Sequence, residues 1–272
     1  MSTASTASTA PSTSKTPMLH PHRIVDVHAL HKSGTMFLYQ FFRHLAKQQN
    51  ALLLSENNDP ADDYFDLAAL RSAGASATEK TMAQTKAFLC RCPIRTFDVD
   101  EFRLEQAPQH RIFHLRDPRD ILVSEYFSFG WIHTTQGTPL DQRRQEIQEM
   151  GVDEYVITQS AQSTWPLDQK YASLVGYDFD PELETVVKYE QMVTEFPKWC
   201  SQVVAAFGVR FPKMLTARLA WRYRNEFKTS GETMQHKRRI TPGDFRDKLK
   251  PDSIKKLNKR FEAVLEKFKY DR

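Results

Sequence analysis

Four consecutive residues near the start of the chain, Lys32 to Thr35, carry the groups that bind an anion. They lie between a short run of branched apolar residues and a run with helical spacing, which indicates a strand-to-helix junction. Such a junction offers free backbone N–H groups and the positive end of a helix dipole. Lys32 adds a cation, Ser33 and Thr35 add hydroxyls, and Gly34 lets the backbone approach a ligand closely. The Walker A pattern G-x-x-x-x-G-K-[ST] is absent, so the loop is P-loop-like in position only.

A second junction of the same kind carries Arg116, and Ser124 follows it by eight residues. Asp117 and the proline after it are typical of a helix start, which places Arg116 at the end of a strand. Ligands of open parallel sheets bind at the carboxyl ends of strands, where Arg116 can grip a phosphate and Ser124 can donate a further bond. The alternative interpretation is that Arg116 pairs with Asp117 or Asp120.

A third basic element, Arg238-Arg239, precedes a Pro-Gly turn near the C-terminus. By itself this pair is typical of a solvated loop. Together with the two junctions, it favours a flap that closes on a phosphate.

Strands alternate with helices along the chain, which predicts a single α/β domain with a mainly parallel central sheet flanked by helices. The P-loop-like strand-loop-helix unit is its expected nucleotide site. Residues 1–22, which begin with a Ser/Thr/Ala-rich segment, are expected to be a disordered tail before a domain at 23–272. Strands are predicted at 24–30, 111–115 and 185–189, and helices at 36–47, 121–129, 141–149, 196–207 and 253–268.

Composition excludes several classes of protein. The 272 residues carry 38 basic and 34 acidic side chains, a net charge of +4 that is too mild to indicate nucleic acid. No apolar run approaches the ~20 residues of a membrane helix, so no membrane segment is expected. Three sparse cysteines favour free thiols in a reducing compartment, and we expect a cytoplasmic protein. The acid-poor segment 1–17 leaves an organelle transit peptide open.

Taken in order, the motifs resemble those of the cytosolic-type sulfotransferases, which use 3′-phosphoadenosine 5′-phosphosulfate (PAPS). The resemblance spans roughly residues 23–268. It rests on a Lys-Ser-Gly-Thr loop, an Arg-x-Pro-x-Asp turn with a later Ser, a Tyr-Glu pair that ends a strand, and a basic pair before Gly-Asp-aromatic. The matching residues are Lys32 to Thr35, Arg116 to Asp120 with Ser124, Tyr189-Glu190, and Arg238-Arg239 with Gly243 to Phe245.

The resemblance implies roles for these positions. Lys32 would contact the bridging oxygen of the sulfate, and Ser33, Gly34 and Thr35 would hold the 5′-phosphate. Met36-Phe37 stand where the family usually has Thr-Trp, and Phe37 keeps an aromatic face for adenine, with Tyr189 as a second candidate. The 3′-phosphate would be bound by Arg116, Ser124, Arg238 and Arg239.

One departure concerns the general base. The family commonly has a catalytic His in a Lys-Thr-His-x-Pro segment, and Arg91 lies at or near that position here. Arginine stays charged and is a poor base. The base is then elsewhere, or the acceptor is a neutral amine or acidic phenol that needs little activation. Nearby candidates are Asp98 and His133, with Asp100 and Glu101.

The resulting prediction is transfer of a sulfuryl group from PAPS to a hydroxyl or amine of a small molecule, with release of adenosine 3′,5′-bisphosphate (PAP). No metal is expected, because lysine and backbone amides can neutralise the leaving group. The acceptor pocket is expected around 55–85 and 130–175, and a homodimer stays open. Two alternatives remain: a non-catalytic nucleotide- or polyanion-binding protein with a degenerate site, and a P-loop-type kinase.

Overall fold

A five-stranded, fully parallel sheet forms the centre of the protein, in a computed structural model. The structure describes residues 23–49, 52–54, 88–95, 97, 110–132, 139–162, 167–209, 212–227 and 240–272. The strands in chain order are β1 (Arg23–Ala29), β2 (Leu52–Leu54), β3 (Phe88–Ile94), β4 (His110–Leu115) and β5 (Glu184–Lys188).

The strand order β2-β3-β1-β4-β5 places β1 in the middle. From β1 the chain moves outward to β2, returns through β3, and then adds β4 and β5 on the other side. The direction of winding therefore reverses between β1 and β4. In an open parallel sheet this reversal opens a crevice at the carboxyl ends of the two strands.

Eleven helices and one π-helical turn (Ser128–Ile132) surround the sheet in the described part of the chain. The helices are α1 (Thr35–Gln49), α2 (Pro118–Phe127), α3 (Pro139–Met150), α4 (Val152–Gln162), α5 (Leu167–Val175), α6 (Tyr189–Thr194), α7 (Phe196–Ala206), α8 (Pro212–Arg222), α9 (Asp244–Lys248), α10 (Pro251–Arg260) and α11 (Glu262–Lys267).

Two apolar clusters cover the two faces of the sheet. Residues of β4 divide between them, because successive side chains of a strand point to opposite faces. Ile112 packs with α1, α7 and α8, whereas Phe113 packs with α2 and the C-terminal helices. These layers hold β1 and β4 rigidly beside each other and fix the crevice between their ends.

The predicted α/β domain with a parallel central sheet is confirmed. Some predicted elements have other bounds in the structure, and β2 and β3 were not predicted. The helix predicted at 253–268 is two helices, since the backbone leaves helical geometry at Phe261. Tyr189 begins α6 instead of ending β5. The tail predicted at 1–22 lies outside the described residues, and that domain boundary remains a prediction.

Candidate active site

The loop from Lys32 to Gly34 connects β1 to α1 by a tight turn. Gly34 has φ +80°, and a Cβ atom there would lie 3.1 Å from Met192 Cε and 3.1 Å from Tyr189 Cε2. Only glycine fits both the positive φ and the close approach of these side chains. Lys32 also has a positive φ of 63°, a strained conformation for a residue with a side chain. The turn leaves the first N–H groups of the 15-residue helix α1 facing the crevice.

Ser33 is buried beneath this loop and hydrogen-bonds within it. Its hydroxyl donates to the carbonyl oxygen of Leu30, and its backbone N–H lies 3.3 Å from the same oxygen. The hydroxyl proton of Ser33 is therefore used inside the turn in this state. Donors for an anion come from the first turn of α1 and from Lys32.

The ammonium of Lys32 lies in a largely enclosed place at the mouth of the crevice. Lys32 Nζ donates to Ser128 Oγ and lies 5.8 Å from the centre of the Phe129 ring. Burial lowers the pKa of Lys32; Glu125 opposes this shift, and Arg116 and Arg95 add to it. Removal of this cation from water strengthens its pull on a developing negative charge.

Arg116 follows β4 and reaches the same loop from the other side of the crevice. Its side chain is 5% exposed, and its guanidinium carbon lies 4.2 Å from the centre of the Tyr189 ring. Nη1 donates to the carbonyl oxygen of Lys32, and Nε has no hydrogen-bond partner among the described residues. Burial alone would lower the pKa of Arg116, but nearby acidic groups, Tyr189 foremost, raise it. Arg116 is thus a permanent cation in contact with the loop between β1 and α1.

The two aspartates that could have paired with Arg116 serve other partners. Asp117 caps α2 and forms an ion pair with Arg119, with 2.6 Å between Oδ2 and Nη2. Asp120 accepts from the backbone N–H groups of Gly243 at 2.7 Å and Phe245 at 3.0 Å. Neither carboxylate is therefore committed to Arg116.

Two contacts fasten the segment that follows the predicted flap. The carboxylate of Asp120 accepts from the backbone N–H of Gly243 and so holds the turn there. The hydroxyl of Tyr189 donates to the carbonyl oxygen of Ile240 at 2.8 Å. The chain at Ile240 is therefore held beside the ring that lies against Arg116.

The nucleotide-binding roles of Ser124, Met36 and Phe37 remain predictions. Ser124 is half-buried on α2, and Met36 is 64% exposed. Phe37 is partly buried, with several aromatic rings around it. Its ring neighbours are Phe41, Phe196, Trp199, Tyr223 and Phe227, at 4.9–6.2 Å between ring centres.

Arg91 is a structural residue in this fold. Its register partner in β1 is Asp26, and the two buried side chains form a bidentate pair, with 2.6 Å between Nη2 and Oδ2. Arg91 therefore takes no proton from an acceptor. The other predicted candidates and the basic pair, namely Asp98, Asp100, Glu101, His133, Arg238 and Arg239, lie outside the described residues.

Three residues near the Lys32 loop were not predicted from the sequence: Glu125, Ser128 and His114. Ser128 and Glu125 adjoin the Arg-x-Pro-x-Asp segment, but no sequence pattern shows that they face Lys32. His114 lies within the β4 run, where a histidine has no distinctive spacing. Their proximity to the loop arises from the packing of β4 and α2 against β1.

Two further facts bear on the kind of site. Among the described residues, no three His, Cys, Asp or Glu side chains are grouped so as to hold a metal ion. No helix in the described ranges is long and apolar enough to span a membrane.

Two solved structures are similar to this chain. Mouse sulfotransferase SULT7A1, solved in complex with PAP, is similar over 90% of this chain and 84% of its own, at 16% identity and a TM-score of 0.56. Retinol dehydratase, solved with androsterone and PAP, is similar over 90% and 82%, at 15% identity and a TM-score of 0.49. No curated protein sequence matches the chain at a significant level.

The mouse structure shows that this chain shares its fold. A stronger finding comes from the sequence, because the family model for the sulfotransferase domain matches residues 25–269. That range includes both strand-to-helix junctions and both contacts that fasten the 240–245 segment. The resemblance inferred from the motifs is confirmed, and this chain belongs to the sulfotransferase family.

Proposed function

We propose that this sulfotransferase transfers the sulfuryl group of PAPS to a hydroxyl or amine of a small molecule and releases PAP. The observation that carries the proposal is the contact of Arg116 with the Lys32 loop across the crevice between β1 and β4. Two cations, Lys32 from the loop after β1 and Arg116 from the end of β4, thereby lie beside one anion-binding turn. PAPS has two anionic ends, its 3′-phosphate and its phosphosulfate, and it needs such a pair.

The chemistry required of the protein is charge neutralisation and alignment. Sulfuryl transfer resembles phosphoryl transfer, with a loose transition state in which the leaving oxygen gains negative charge. Lys32 and the first N–H groups of α1 lie where that charge develops on the 5′-phosphate. When the nucleotide binds, the Lys32 ammonium gives up its hydrogen bond to Ser128 and donates instead to the oxygen that bridges the phosphate and the sulfate.

The 3′-phosphate is assigned to Arg116 and Ser124, with Arg238 and Arg239 closing over it. Tyr189 holds Ile240 beside Arg116, at 2.8 Å between the hydroxyl and the carbonyl oxygen. Arg239 is the next residue, and two residues span at most about 7 Å. This tether, one residue after Arg239, supports the assignment of the basic pair to the 3′-phosphate.

The comparison with the mouse protein, which was solved with PAP, supports PAP as the first ligand to test. A thermal melt with PAP, with ATP and magnesium, or with neither separates the alternatives. Saturating PAP should raise stability by about 2.7 kcal/mol at a hundred times Kd. Stabilisation by ATP and magnesium alone would favour a kinase, and no stabilisation by PAP would reject the nucleotide site.

Turnover of PAPS separates an enzyme from a non-catalytic binder. PAP release should be detectable over a panel of phenols, alcohols and amines, and PAP binding without turnover would support the binder. The three cysteines are free and buried, which fits a reducing compartment, and we place the reaction in the cytoplasm. A homodimer is tested by sedimentation, and nucleic acid is expected to leave the melting temperature unchanged.

A further inference from the structure

The structure assigns the general base of this reaction to Glu125, the residue that follows Ser124 on α2. The assignment rests on the proposed sulfuryl transfer. Glu125 takes the role of the family's catalytic histidine, at or near whose position this chain has Arg91.

The backbone places Glu125 next to the partner of the catalytic lysine. The backbone N–H of Ser128 donates to the carbonyl oxygen of Glu125, so the two residues are neighbours on one helical face. The hydroxyl of Ser128 accepts from Lys32 Nζ. Glu125 therefore lies one turn before Ser128, on the side of α2 from which Ser128 meets Lys32.

The groups that face Glu125 come from three elements. Lys32 acts on it from the loop after β1, and Tyr155 faces it from α4, with Arg143 of α3 acting on Tyr155. Burial raises the pKa of Glu125 to about 7, and the charge of Lys32 limits this rise. A carboxylate poised near neutral pH can accept a proton during the reaction and release it afterwards.

Two other carboxylates near the crevice, in the part of the chain that the structure describes, hold backbone N–H groups. Glu190 accepts from the backbone N–H of Asp117 at 2.9 Å. Asp120 holds the turn at Gly243. Among the described residues, Glu125 is the carboxylate whose charge opposes the lowered pKa of Lys32.

Transfer of the sulfuryl group needs no reactant besides PAPS and the acceptor. The acceptor oxygen or nitrogen forms a bond to sulfur as its proton passes to the Glu125 carboxylate. The bond from sulfur to the bridging oxygen breaks, and PAP leaves with the electron pair. Glu125 then returns the proton to water.

The test compares Glu125→Gln with Glu149→Gln, an exposed glutamate of α3, in the full chain. Phenol and para-nitrophenol are the acceptors, because a substantial fraction of the second is ionised near neutral pH and its phenolate needs no base. In the parent chain, kcat/KM for phenol should rise with pH through about 7 and then level. Glu125→Gln should abolish that rise and lower the plateau by about 10²–10⁴-fold. The same variant should lose far less with para-nitrophenol and should keep PAP affinity, whereas Glu149→Gln should match the parent.

Each other outcome overturns the assignment. An unchanged pH profile in Glu125→Gln would do so, as would equal losses with the two phenols, which indicate a structural role. Asp98→Asn and His133→Gln are measured in parallel, and loss of the pH-dependent limb in either would move the base there. If the parent binds PAP but turns over neither phenol nor any acceptor of the panel, the proposed function itself fails and the base assignment with it.

Discussion

The imidazole of His114 contacts the carbonyl oxygen of Ser33, with 3.0 Å between Nε2 and the oxygen. On its other side, Trp199 Nε1 lies 3.4 Å from His114 Nδ1. The indole can only donate and the carbonyl can only accept, so the ring is neutral with its proton on Nε2. A buried chain of hydrogen bonds thus runs from α7 through β4 to the loop between β1 and α1. It occupies the Ser33 carbonyl and fixes that loop to the core.

A pH-dependent stability should follow from His114. Burial lowers its pKa to about 3, whereas an unfolded histidine titrates near 6.5. Between these values the unfolded chain binds more protons, so His114 makes stability fall as pH decreases. The difference between the parent chain and His114→Gln should change by about 1.4 kcal/mol per pH unit below 6.5. Urea unfolding at several pH values measures it, and a constant difference would contradict the neutral buried ring.

Gly34→Ala should destabilise the protein by about 1–3 kcal/mol. The methyl group would be strained at φ +80° and would lie 3.1 Å from Met192 and Tyr189. Gly176→Ala is the matched control, since a Cβ there meets nothing within 4 Å. Urea unfolding should separate the two variants, and equal stabilities would contradict the tight turn.

Lys32→Ala should lower kcat by about 10²–10³-fold, because the cation acts mainly on charge that develops in the transition state. PAP affinity should fall much less, since backbone N–H groups also bind the phosphate. Lys213→Ala, an exposed lysine of α8, is the control and should retain full activity. Calorimetry with PAP and initial rates with PAPS measure the two effects. Loss of binding equal to the loss of rate would show that Lys32 serves ground-state binding.

Arg116→Lys should weaken PAP binding by about 10–100-fold, the value of a charge-assisted hydrogen bond. Lysine keeps the charge but loses the planar fork that reaches the Lys32 carbonyl and a phosphate together. Affinity for adenosine 5′-monophosphate, which lacks the 3′-phosphate, should change little. Titration of both nucleotides checks the assignment, and equal losses for both would place Arg116 outside the 3′-phosphate site.

The Asp26–Arg91 pair should behave as a structural ion pair. Replacement of Arg91 alone by Leu should destabilise the fold by about 3–5 kcal/mol, because it leaves a buried carboxylate without a partner. Leu at both positions should recover most of that stability. Unfolding of the two single variants and the double variant gives the coupling. Additive effects would contradict a direct pair.

The sequence alone was enough for the fold class and for the position of the turn between β1 and α1. Both depend on local patterns: the branched strand 24–30, the turn at Gly34, and the proline and cap that begin α2. The residues that make up each of these signals are close together in the chain, so propensity and spacing reveal them. The strands β2 and β3 escaped prediction because one has three residues and the other contains Arg91 and a proline.

Relationships between distant segments required the tertiary structure. Lys32 and Ser128 are 96 residues apart, and Arg116 meets the carbonyl of Lys32 over 84 residues. His114 and Trp199 lie 85 residues apart. The sequence supplied the residue types for an anion site and their order along the chain. Only the reversal of strand order between β1 and β4 brought them together, because proximity across a sheet is set by topology and packing and has no local signature in the chain.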